Sequence, residues 1–463
     1  MLLLARACLL LGPFVLAFFS GGYFTGPRLV AGVVAWSCLA LALLARRGGR
    51  PSLAVPAIGG LALLCAWTAL SAAWSPSGSG AADSLERGLL YLGALSAAYV
   101  ALRGAVRWVE PALALGTVVV IGYGVAGRVL PDLVELSRTR SAGGRLDQPL
   151  TYWNATGALA ALGLVLCARL AGDRSRPLAM RAAAAAASAP LGLGVYLSFS
   201  RGALTALGVG LVVLLALEPT WPQLRAGAIA LEAGAICAGV ASLLPAGEAA
   251  EGDGFATQGA VLLVVLLAAM AGAAALQAWS ARAEDDGMTR TGPLPRRVPR
   301  IAVVVAAVLA VAPFAAAAVD DSETPSDPAF GATAERFGSV GSRRFDYWEA
   351  ALAGFASDPV VGRGAGAYQA IWLEERDVRE RVVDAHSLEL ETAAELGLVG
   401  LALLALFLGG VAVAARRAGP QLPGAAAALA LYGAHSAIDW DWELPALTLV
   451  AVVLAGAVLA TER

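Results

Sequence analysis

Long apolar runs, broken by short polar stretches, recur along almost the whole chain. A run of about 17 or more apolar residues, wound as a helix, covers the hydrocarbon core of a bilayer. The pattern predicts about fourteen such helices, near 4–23, 29–45, 52–74, 88–103, 109–128, 151–169, 182–199, 202–218, 226–245, 258–280, 301–319, 395–414, 423–440 and 444–461. The apolar start from Leu2 to Phe19 is read as the first of these helices, because so many spans follow it. Breaks at Pro190, at Ser198 to Arg201 and around Trp440 to Glu443 are the least regular points of the pattern. The fold expected is an all-α polytopic membrane protein.

One interval departs from the rhythm of short connections. Residues 320–394 form a long, mostly polar stretch, and a loop of that length is usually functional. Within it Arg344, Trp348, Ala351, Leu352 and Phe355 recur at helical spacing, with Ser342 as a candidate N-cap and Gly354 and Pro359 as stops. A second short helix is predicted at Ala365 to Asp377, and a third from His386 through Glu395 into the next span. The chain thus divides into N-terminal membrane helices (1–197), central helices (198–319), the large loop (320–394) and C-terminal helices (395–463).

Charge fixes the orientation. With the N-terminus in the cytoplasm, Arg46, Arg47, Arg50, Arg103, Arg107, Arg174, Arg176, Arg181, the run Arg282 to Arg300, Arg416 and Arg417 all fall on the inner side. That is the positive-inside pattern, and it places the large loop on the extracytoplasmic face. Composition agrees, with 58% apolar residues, 15% charged residues and a mean hydropathy of +0.70, values outside the range of ordinary soluble domains. A net charge of −2 excludes a nucleic-acid partner, which needs a basic surface. The five cysteines stand in apolar stretches without a CxxC pair, so neither a disulfide frame nor a thiolate metal site is expected.

Charged groups at the ends of membrane helices are costly and are therefore candidates for function. Arg201, in Ser198-Phe199-Ser200-Arg201-Gly202, suits a phosphate or carboxylate at headgroup depth, or else anchors the helix end by snorkelling. His386, in Asp384-Ala385-His386-Ser387, could take a proton from a hydroxyl with Asp384 or Glu389 orienting the ring, or could simply cap a helix. Arg343 and Arg344 open a helix carrying Trp348, as an anion clamp or as a solvated pair. Arg145 and Asn154 lie at the same outer level, beside Tyr152 and Trp153 as interface anchors. His435 and Asp439 stand four apart and suggest a metal pair that no further His or Cys completes, while the turn from Asp439 to Glu443 reads more simply as an interfacial belt. Glu232, inside a span, could pair with Arg225 by snorkelling. Arg145, Arg201, Arg343 or Arg344, and His386 converge on one face of the membrane.

Three blocks in order resemble the O-antigen ligase and polymerase family: Ser-Phe-Ser-Arg-Gly at 198–202; Arg-Arg-Phe-Asp-Tyr-Trp-Glu-Ala-Ala at 343–351 with Asp-Pro-Val-Val-Gly-Arg-Gly at 358–364; and Asp-Ala-His-Ser at 384–387 with Glu-Leu-Gly-Leu-Val-Gly at 395–400. The resemblance implies a GT-C-like, metal-independent, inverting glycosyltransferase of the hexosyltransferase class, needing no cofactor, in the bacterial inner (plasma) membrane. Its donor would be a glycan on polyprenyl (undecaprenyl) diphosphate, and its acceptor a hydroxyl of a glycan, lipid or protein. By the same resemblance Arg201 and Arg344 (or Arg343) hold the diphosphate and His386 takes the acceptor proton or orients the hydroxyl. Arg343, Arg145, Asn154, Trp348 and Asp384 are the candidate substrate-binding residues around them. The competing reading is a transporter or flippase for an anion or lipid-linked sugar, which would carry broken helices and charges near the midplane. A third is a non-catalytic scaffold for surface-polymer assembly.

Overall fold

A computed structural model describes residues 1–45, 54–137, 139–245, 251–252, 254–319 and 343–461. Arg46, Arg47, Arg50, residues 320–342 of the large loop and the candidate cap Ser342 lie outside the described residues. Those described hold sixteen α-helices and no strand: α1 (Leu2–Ala17), α2 (Thr25–Ala45), α3 (Ala54–Ser71), α4 (Gly78–Ala101), α5 (Val109–Val129), α6 (Trp153–Gly172), α7 (Leu178–Leu197), α8 (Arg201–Leu217), α9 (Trp221–Ala241), α10 (Phe255–Asp285), α11 (Arg297–Val319), α12 (Arg344–Ser357), α13 (Tyr368–Glu375), α14 (Leu388–Ala418), α15 (Pro423–Ser436) and α16 (Pro445–Ala460). Each of the fourteen apolar runs coincides with one helix. Eight of these (α2, α3, α5, α6, α7, α9, α10 and α14) are long and apolar enough to cross a membrane, and α1, α8 and α16 are shorter apolar helices.

Two helices form the centre. α6 is buried at nearly every position, and α16 at every one. α2 and α10 instead leave most of their apolar surface uncovered, as helices facing lipid do. Small residues bring the interior helices together where lipid offers no hydrophobic drive. At the crossing of α7 and α9, a Cβ on Gly192 would stand 2.4 Å from the Cα of Gly234.

Two boundary differences change the reading of charged residues. α4 starts at Gly78, not near residue 88, so Asp83, Glu86 and Arg87 lie inside it. They are tolerated because buried Arg28 pairs with Asp83 and Glu86, and Arg87 with Glu443. α15 stops at Ser436, so Asp439 does not share a helix with His435. Pro190 does not break α7. The conformational break is in α14 at Gly397, whose φ of 64° lies in the left-handed region. Glu232 is exposed, and Arg225 pairs with Glu284 at 2.7 Å, so the suggested Glu232–Arg225 pair is not formed.

The described part of the large loop folds as a unit with a core of its own, in which Tyr347, Tyr368, Ile371, Trp372 and Val382 are buried. It is stitched to the bundle through the kink. Arg363 N and Gly364 N donate to Ala394 O and Glu395 O at 3.0 and 2.8 Å, while Leu398 N donates to Pro359 O at 2.9 Å. From α3, Trp67 donates to Leu396 O, and just beyond it Trp74 donates to Gly362 O, both at 3.1 Å.

Candidate active site

The segments that meet at this end of the bundle are the turn after α15, the start of α6, the start of α8, the start of α12 and the strap leading into α14. Arg344 is the first residue of α12, and its guanidinium forms an ion pair with Asp439. The Asp439 side chain is fully buried. It also accepts hydrogen bonds from the Tyr152 hydroxyl at 2.6 Å, Asn154 Nδ2 at 2.8 Å and Trp440 N at 3.0 Å. Burial alone would raise the Asp439 pKa, but Arg344 and the neighbouring donors outweigh it and hold the carboxyl below its ordinary value. A fixed anion of this kind orients the planar guanidinium.

His386 stands on the strap leading into α14. Its backbone adopts φ 54°, and the following residue Ser387, not His386, is the N-cap of α14, accepting from Leu390 N at 3.4 Å. The capping reading of His386 is thereby replaced. The ring lies 5.1 Å from Tyr347 and 6.2 Å from Trp440 between centroids. Nδ1 is 3.2 Å from Asp384 O. A carbonyl only accepts, so in the neutral ring the proton sits on Nδ1 and the lone pair on Nε2. Burial lowers the pKa of His386, with Asp439 opposing and Arg344 reinforcing the shift, so the ring is neutral at pH 7.

Arg201 opens α8 behind Ser200, whose hydroxyl accepts from Ala203 N at 3.2 Å. The turn before it needs a left-handed residue, Phe199 at φ 48°. Gly202 lets this helix end approach the α15 turn: a Cβ there would meet His435 Nε2 and Ile438 Cδ1, each at 3.3 Å. Ile438 adjoins Asp439. The starts of α8 and α12 therefore reach the same turn, each led by an arginine.

Of the other residues singled out, Asn154 joins this group directly. Trp348 is buried on α12, and Asp384 is buried behind His386. Arg145 is turned back into its own loop, with Nε donating to Ala142 O at 2.7 Å and its guanidinium 3.8 Å from the Trp153 ring centroid. Arg343 points away and pairs with Glu380 at 3.0 Å, both side chains about 40% exposed. Of the two arginines, Arg344 is the one that pairs with Asp439.

The turn 439–443 is the main correction. Asp439, Asp441 and Glu443 are buried, so this segment is not an interfacial belt but is packed inside the protein. His435 pairs with Asp441 at 2.6 Å and not with Asp439, so the suggested His435–Asp439 metal pair is not formed. Tyr152 is not an anchor in the interface; it is a donor to Asp439. These roles were signalled only by three acids standing within five residues near unassigned arginines.

Residues 185–405 match the family model described as O-antigen ligase. That stretch, a little under half of the chain, is similar to the O-antigen ligase family. The match starts within α7 and ends within α14, so it takes in Arg201, Arg344 and His386, the lead residues of the three blocks. It also takes in the interlock of those blocks, because 358–364 hydrogen-bonds to 394–398 across the α14 kink. Asp439, Tyr152 and Asn154 fall outside the match. No curated protein matches the chain.

Proposed function

We propose that this O-antigen ligase-like protein is a membrane glycosyltransferase of the hexosyltransferase class, moving a glycan from polyprenyl diphosphate to an acceptor hydroxyl on the extracytoplasmic face of a bacterial plasma membrane. The observation that carries the reading is the meeting of a cation and a base at one end of the bundle: Arg344, oriented by buried Asp439, near a neutral His386. All fourteen apolar helices cross the bilayer in this reading, in a GT-C-like arrangement with both termini inside.

In the transfer the acceptor oxygen attacks the anomeric carbon as its proton passes to His386 Nε2. The bond from the anomeric carbon to the diphosphate oxygen breaks, and the electron pair leaves on the polyprenyl diphosphate. Attack opposite the leaving group inverts the centre. Arg344 and Arg201 receive the developing negative charge, a preorganised electrostatic role that needs no metal ion at the diphosphate. Trp348 and Asn154 line the approach. Buried charge clusters that sit at the ends of helices support this reading over a transporter with a midplane ion path.

The test is transfer by the purified full-length protein in detergent, with a polyprenyl-diphosphate oligosaccharide and a hydroxyl acceptor. Wild type is expected to form product, while Arg201→Ala, Arg344→Ala and His386→Ala each lose at least 100-fold of it. Full activity in these variants, or donor binding without turnover by the wild type, would overturn the reading.

A further inference from the structure

A second group of buried charge lies behind the strap that carries His386. Carboxylate oxygens of Asp384, Glu391 and Glu443 all lie within 4.8 Å of one another. Glu391 and Glu443 line a cavity of about 60 Å³, together with Arg87 and Glu395. That volume holds a few water-sized bodies.

Most of the polar groups here have assignments. Glu395 accepts from Gly366 N and Tyr368 N at 2.8 and 2.9 Å, Glu391 accepts from Ala385 N at 2.8 Å, and Arg87 stands 3.6 Å from Glu443. Two groups are exceptions: Arg87 Nε, which is buried with no hydrogen-bond partner, and Asp384. Asp384 is 7% exposed, and among the described residues no hydrogen-bond donor or basic side chain pairs with its carboxylate, which is turned toward Glu391 and Glu443. One guanidinium thus faces four acidic side chains in a space largely shut off from water. Charge buried in that imbalance is unstable unless something neutralises it.

We propose that Asp384, Glu391 and Glu443 bind a divalent cation, and that calcium is the ion they suit. Carboxylate oxygens are the hard ligands calcium takes, at ~2.3–2.6 Å, so two oxygens on opposite sides of the ion stand about 4.8 Å apart. The cavity supplies room for water at the remaining positions. The ion does not touch the reacting groups. Asp384 gives its carboxylate to the ion and its backbone carbonyl to His386 Nδ1, and Glu391 holds the amide of Ala385. The cation therefore fastens both ends of the strap whose left-handed residue is His386. The inference does not depend on the transfer chemistry.

Terbium(III), which substitutes for calcium and is sensitised by nearby tryptophan, is the probe, because Trp440 and Trp442 line the cavity. Full-length protein in detergent is expected to give saturable tryptophan-excited terbium emission that calcium displaces. Asp384→Asn and Glu443→Gln should each raise the half-saturating terbium concentration at least tenfold. Trp442→Phe keeps all three ligands, so it should dim the emission and leave that concentration unchanged. Calcium should raise the thermal midpoint of the wild type and not that of Asp384→Asn. The proposal is overturned if wild type gives no saturable emission. It is also overturned if the two carboxylate variants bind terbium as tightly as wild type, or if calcium leaves the wild-type midpoint in place while acidification raises it, since protons would then neutralise the cluster.

Discussion

Arg344 and Asp439 are 95 residues apart in sequence and form an ion pair whose acidic member is fully buried. Removing one member of such a pair leaves an uncompensated buried charge, at about 3–5 kcal/mol. Arg344 is 21% exposed, so its own loss of partner is milder. Arg344→Ala should therefore lower the thermal midpoint more than Asp439→Asn. The double variant should regain part of that loss, because no charge is then stranded. Melting curves of the three variants in detergent check the order. None of them should recover transfer activity.

Arg343 supplies the control. Its partner Glu380 is as exposed as it is, and surface pairs contribute about 0–1 kcal/mol. Arg343→Ala should keep both stability and transfer rate close to wild type, whereas Arg344→Ala loses at least 100-fold in rate. Arg344→Lys should restore little, because a lysine lacks the fork that meets Asp439 and a second anion together. Side-by-side rates of the three variants decide it.

The helices were legible in the sequence because a membrane helix announces itself by unbroken apolar length, and the ends differ mostly by a few residues. The large misplacement was the start of α4. There Asp83, Glu86 and Arg87 look like loop residues, and only distant partners, Arg28 and Glu443, make them acceptable inside a helix. The site was half legible for a related reason. Arg201 and His386 could be picked out as rare polar residues at span ends, and Arg344 as one of two arginines opening a helix of the loop. Asp439 could not be told from an interfacial acid, because what distinguishes it is burial beneath Tyr152 and Asn154, which follow it only in space.

His386 and Ser387 are neighbours with separable duties. His386→Gln keeps a polar ring-sized group but removes the proton acceptor, so kcat should fall by about 10²–10⁴-fold with little change in KM for the donor. Ser387→Ala removes the N-cap of α14, which costs about 1 kcal/mol. It should lower the melting midpoint by a few degrees and leave kcat within several-fold of wild type. Steady-state kinetics and melting of both variants separate the two roles.

The α14 kink makes a backbone prediction. A Cβ on Gly397 would lie 2.4 Å from Val360 O, at a φ of 64° that side-chain-bearing residues rarely adopt. Gly397→Ala must therefore open the seam between 358–364 and 394–398, and with it the ground on which His386 stands. Early proteolytic cleavage of the large loop, compared with wild type, is the expected sign.

Acid should undo the Arg344–Asp439 pair in a definite direction. Asp439 lies outside the membrane helices, and its folded pKa is below the ordinary 3.8 because Arg344 and its hydrogen-bond donors favour the ionised form against burial. A depressed carboxylate contributes stability that is present above the unfolded value and lost as pH falls through the folded one. The difference in thermal midpoint between wild type and Asp439→Asn should therefore be constant from neutral pH down to about 4, then shrink as pH drops further below 3.8. A difference that grew on acidification would mean that protonation of Asp439 is favoured in the folded protein, and that Arg344 is not the partner that holds it.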